Sequence, residues 1–142
     1  MSDATSLPRP APHPSRVSAF FWEGVDEGQL RVQRCTQCER VRFPPRPMCP
    51  HCHAVSFETV ALSGRGRVYS FIVPVHPRLP MFAPGTIVAL IDLEDGVRLV
   101  SNLCDVKAEE ITADMPVEVF FIDLGSGRKL HQFRPVREKS DG

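Results

Sequence analysis

The chain has 142 residues with 17 basic and 17 acidic side chains, so no overall charge draws it to a polyanion or an anionic membrane. Its hydrophobic content of 42% is ordinary for one globular domain, or one domain with an appendage. No apolar run approaches the ~20 residues that span a bilayer, and the N-terminus lacks a signal peptide's cationic start and apolar stretch; a cytoplasmic protein with reduced thiols is expected.

Residues 1–15 carry Pro8, Pro10, Pro12 and Pro14 and read as a tail that buries little. Val17, Phe20, Phe21 and Val25 then recur at near-helical spacing before Gly28, which predicts a short amphipathic helix within 16–29. Trp22 falls beside the apolar stripe and reads either as packing on the chain's own core or as part of a partner surface.

Residues 30–57 contain Cys35-x-x-Cys38 and Cys49-x-x-Cys52. Zinc favours tetrahedral thiolate shells, and two such knuckles supply two sulfurs each to one ion. A segment of about 28 residues is too short for an apolar core of its own, so a metal explains how it folds. Four thiolates fill the shell and leave no position for water or substrate, which makes the expected zinc structural. The ion with its four thiolates carries a formal −2, and residues 29–46 hold five Arg against one Glu, so Arg34, Arg40, Arg42 and Arg46 are available to balance it.

From about residue 64 the pattern becomes strands: 66–73, 86–93, 97–103, 117–123 and 130–135, with Asp95-Gly96 marking a tight hairpin and 107–114 one or two helical turns. Three strands, a short helix and two strands are the order of an OB-fold barrel, predicted over 58–137 and followed by a tail at 138–142. The Pro-rich segment 74–85 falls in the loop after the first barrel strand and offers Leu79, Met81 and Phe82 as apolar contacts. Cys104 reads as a small buried hydrophobe, and no Ser/Cys–His–Asp spacing or phosphate loop stands out, so no catalytic residue is assigned.

The run FWEGVDEGQLRVQRCTQCERVRFPPRPMCPHC, then GRGRVYSFIVPVHP, IVALIDLEDGVRLVSNL and FRPV, closely resembles the zinc-ribbon, OB-fold family long catalogued as a domain of unknown function. The resemblance implies a mainly β protein: a short N-terminal helix, a rubredoxin-like zinc ribbon and a C-terminal five-stranded OB barrel. It implies Cys35, Cys38, Cys49 and Cys52 as the zinc ligands. It further implies a non-catalytic accessory subunit that binds a thiolase-superfamily enzyme (a thiolase, an acyltransferase or a lipid-transfer-protein-like aldolase) acting on acyl-CoA. Members often place Gly after each knuckle; here Glu39 and His53 stand there. Expected partner contacts are Phe21 and Trp22 on the helix, the ribbon, and Leu79, Met81 and Phe82 in the 74–85 loop.

Two alternatives belong to other classes. One is a stand-alone CoA-thioester binder whose cations near 128–137 meet the phosphates. The other is a single-stranded nucleic-acid module, which nine acids against two bases over residues 86–123 argue against.

Overall fold

A computed structural model describes residues 9–76, 80–125 and 127–136. Leu79 and the segment 138–142 lie outside the described residues. The elements run α1 (Ala19–Asp26), β1 (Leu30–Cys35), β2 (Val41–Arg42), β3 (Phe57–Leu62), β4 (Arg65–Ile72), β5 (Ile87–Leu93), β6 (Arg98–Leu103), β7 (Pro116–Asp123) and β8 (Lys129–Pro135).

The apolar spacing of α1 buries Phe21 and Val25, with Phe20 and Trp22 half-buried beside them. The helix ends where Gly28 turns left-handed at φ 80, and the Gln29 N–H reaches back to the Gly24 carbonyl at 2.8 Å. That reversal delivers β1 directly beneath the helix, where Leu30 and Val32 are almost fully buried.

β1 is the centre of a three-stranded antiparallel sheet ordered β2-β1-β3. Its register with β3 is continuous from Leu30↔Leu62 to Cys35↔Phe57, so β3 straddles the expected boundary between residues 57 and 58. The remaining five strands close a barrel in the order β4-β5-β6-β8-β7. Closure includes the parallel pairing of β6 with β8 through Leu103↔Phe133, the OB-type connection. A short 3-10 turn, Glu94–Gly96, joins β5 to β6, and another, Ala108–Glu110, precedes β7, in agreement with the predicted hairpin and helical turn.

Ribbon strand and barrel strand meet at Gly64, where φ is +88 and a Cβ would fall 2.3 Å from Val119 Cγ1. Only glycine fits that corner, and its carbonyl accepts the Val119 N–H at 2.8 Å. Strand alternation fills the barrel with Val68, Ala89, Ile91, Leu99, Val117 and Phe133, contiguous with Phe21, Val25, Leu30 and Val32 in one hydrophobic core. Polar contacts bind helix to barrel as well. Asp26 accepts the Lys129 N–H at 3.0 Å and pairs with Arg128 at 3.3 Å.

Candidate metal centre

Each knuckle is a tight reversal built in the same way. The Glu39 N–H bonds the Cys35 carbonyl at 3.0 Å and the Cys35 N–H bonds the Arg40 carbonyl at 2.9 Å. In the second, His53 N–H reaches the Cys49 carbonyl at 2.9 Å and Cys49 N–H the Ala54 carbonyl at 2.8 Å. Both reversals need a left-handed residue after the second Cys, supplied by Glu39 at φ 66 and His53 at φ 68. These two positions take the conformation that glycine would adopt without strain.

The four Sγ atoms lie within 4.8 Å of one another, with Cys35–Cys52 at 3.5 Å and Cys38–Cys49 at 3.6 Å. A tetrahedral zinc with Zn–S about 2.3 Å places its sulfurs about 3.8 Å apart, so the set fits one ion. Backbone amides point at the sulfurs: Gln37 and Cys38 N–H at Cys35 Sγ, 3.4 and 3.5 Å, and Cys52 N–H at Cys49 Sγ, 3.5 Å. Those donors favour the thiolate. The Cys52 amide leads in lowering the Cys49 thiol to about 6, and the Cys38 amide leads in lowering Cys35. No other His, Cys, Asp or Glu group converges this way among the described residues.

The loop between the knuckles is held by Gln33, which is fully buried. Its side-chain amide donates to the Arg46 carbonyl and accepts the Arg46 N–H, both at 2.8 Å. Arg42 joins the same carbonyl through Nη2 at 3.2 Å and lies 5.5 Å from the centroid of the Phe57 ring. Its Nε and Nη1 are buried with no partner. Arg42, one of the four cations expected to balance the metal site, sits in a two-residue strand opposite Gln33, a tertiary pairing that no local pattern carries.

The expected partner-contact residues fall in different settings. Phe21 is 4% exposed and packs on Trp22, Phe43 and His131, so the chain's own core occupies it. Trp22 is half-buried on the helix. Met81 is half-buried, and Phe82 is exposed with the Arg9 guanidinium 4.9 Å above its ring. Cys104 bonds Gln132 Oε1 at 3.4 Å, and burial pushes its thiol up, an inert environment for sulfur.

A four-thiolate ribbon docked on an OB barrel defines a zinc-ribbon/OB-fold protein. Residues 22–58 match the model of the ChsH2 rubredoxin-like zinc ribbon domain and residues 59–121 that of the ChsH2 C-terminal OB-fold domain. The chain belongs to this ChsH2/DUF35 family.

It is 40% identical over 128 residues to a probable enoyl-CoA hydratase alpha subunit of Thermomonospora curvata, covering 90% of this chain and 40% of that one. A DUF35 domain-containing scaffold protein of Methanocaldococcus jannaschii is 38% identical over 103 residues, 70% of this chain and 73% of the relative. The benzoylsuccinyl-CoA thiolase subunit BbsA of Geobacter metallireducens is 35% identical over 107 residues, 75% of this chain and 69% of that subunit. Among solved structures, a chain of the "Ltp2-ChsH2(DUF35) aldolase" superposes with TM-score 0.83 at 40% identity, covering 87% of this chain and 98% of that chain. The chain thus spans about two fifths of the length of the hydratase subunit, and nearly all of the aldolase-associated chain.

Proposed function

We propose that this chain is a non-catalytic accessory subunit that binds and supports a thiolase-superfamily enzyme acting on acyl-CoA substrates. The observation that carries the reading is the likeness, across 98% of its length, to the DUF35 chain of an aldolase assembly. The kinship to a thiolase subunit supports the same class of partner. The chemistry of the metal centre agrees. Four cysteines complete a tetrahedral shell, so Cys35, Cys38, Cys49 and Cys52 would hold a zinc that fixes the ribbon and offers no open position to a substrate.

The test is co-expression of the full chain with the thiolase-superfamily subunits encoded in the same genome. A stable complex that turns over acyl-CoA, where the isolated chain does not, supports the reading. Elution of the chain alone from every such mixture would overturn it.

A further inference from the structure

Arg42 is the most unusual group in the ribbon. It is 7% exposed, and two of its three guanidinium nitrogens have no hydrogen-bond partner. Buried donors are nearly always satisfied, and a charged one is costly to leave alone. Arg31 pairs with Glu27 and Arg34 with Glu58, whereas no ion pair engages Arg42 or Arg46 among the described residues.

The group seen over this cation is apolar and partly open to solvent. Phe57, 36% exposed, lies against Arg42 and stacks 5.5 Å from the half-buried Phe20. Met48 and Val55, 46% and 66% exposed, flank the Cys49–Ala54 hydrogen bond that closes the second knuckle. Val55 lies two residues before Phe57 and Met48 two residues after Arg46, so exposed apolar side chains adjoin in sequence the groups that touch the shielded arginine. That composition is the one found at interface hot spots. The outer face of the barrel also exposes apolar side chains, Ile72 and Val100, but its cation is already satisfied: Arg98 bonds Asp92 at 2.5 Å and covers Tyr69. On the ribbon, exposed apolar side chains accompany a buried cation two of whose nitrogens have no hydrogen-bond partner.

We propose that the ribbon face of Phe20, Met48, Val55 and Phe57 around Arg42 is a docking surface for a protein segment that presents an Asp or Glu carboxylate between apolar side chains. The apolar residues cover Met48 and Val55. The Phe57 ring shifts, and the carboxylate supplies the acceptor that Arg42 lacks, a charge-assisted bond in a desolvated setting. Aliphatic Met48 and Val55 favour a protein over nucleic acid, whose bases stack on aromatic platforms. The surface deepens the accessory-subunit reading by naming where the partner would sit.

The test selects peptides from a phage-displayed random library on the zinc-loaded full chain and measures the enriched sequence, as a synthetic peptide, by fluorescence anisotropy. The expected consensus places Asp or Glu between apolar residues. Val55→Glu, an exposed change, is expected to leave zinc content and circular dichroism unaltered while weakening the peptide at least about tenfold. Arg42→Gln is expected to abolish the preference for the acid over its amide. A basic consensus, no enrichment, unchanged affinity in Val55→Glu, or displacement of the peptide by a single-stranded DNA oligonucleotide would each overturn the proposal. Successful peptide selection with no thiolase-superfamily complex would remove the enzyme partner and leave the docking face standing.

Discussion

The Phe21 ring of α1 stands edge-on to the His131 imidazole of β8, their centroids 5.5 Å apart at 88°, so the helix that introduces the ribbon is keyed into the barrel. His131 is 6% exposed and its Nδ1 has no partner. Burial lowers it from 6.5 to about 4, so the folded protein holds it neutral at physiological pH.

Below pH 6.5 the unfolded chain takes up a proton that folded His131 refuses. The stability is therefore fully present above pH 6.5 and is lost as pH falls toward about 4, amounting to about 3 kcal/mol in total. Urea midpoints of the wild type and His131→Phe, compared from pH 7.5 to 5, check this. Zinc-site protonation contributes equally to both proteins, so the variant should show the shallower slope. Equal slopes would mean that His131 does not titrate with folding.

Cys49→Ser should reduce zinc from one ion per chain to trace levels, because a three-sulfur shell binds far more weakly and Cys49 is itself fully buried. Elemental analysis gives the stoichiometry. Amide exchange should rise sharply over β1 and β2 and less over β5 and β6, whose ladder runs continuously from Ile87↔Leu103 to Asp92↔Arg98 inside the barrel.

Gln33→Leu keeps the volume of a fully buried side chain but removes both bonds to Arg46. A backbone N–H is left without its acceptor and the Arg46 carbonyl loses one of its two donors, so a loss of about 2 kcal/mol or more is expected from denaturant titration of the zinc-loaded protein. A loss below about 0.5 kcal/mol would show that this loop is anchored elsewhere.

Gly64→Ala should be more damaging than Gly85→Ala, although both residues have φ near +85. At Gly85 nothing lies within 4 Å of the added Cβ, and the cost is the left-handed backbone alone, about 1 kcal/mol. At Gly64 the Cβ also strikes Val119, so a further loss of at least about 2 kcal/mol is expected. Thermal melts of the two variants side by side measure the difference.

Much of this architecture was legible because its signals are local. The Cys-x-x-Cys spacing determines which sulfurs share an ion, and alternating β-branched runs with Asp95-Gly96 between them marked β5 and β6. The helix was legible from its apolar stripe, though it begins at Ala19, two residues after Val17, the first residue of that stripe. What escaped depends on tertiary pairing. Glu58 and Thr59, at the expected start of the OB-fold segment, pair across the sheet with Arg34 and Gln33 of the ribbon, a link between the two segments that no local pattern carries. Phe21 and Trp22 are neighbours on one stripe, and only packing against His131 and Phe43 decides that the first is enclosed. The burial of Arg42 has no sequence signature, since an Arg beside Val41 and Phe43 reads equally well as solvated charge.

The central claim, that the chemistry resides in a partner and this chain supports it, is tested most directly by one reconstitution. The full zinc-loaded chain and each thiolase-superfamily subunit of the same genome are assayed for acyl-CoA turnover separately and mixed. The account predicts no turnover by the chain alone and, with one subunit, a co-eluting complex whose turnover exceeds that of the subunit by itself. Turnover by the isolated chain, or a complete set of subunits that neither bind it nor respond to it, would contradict the account.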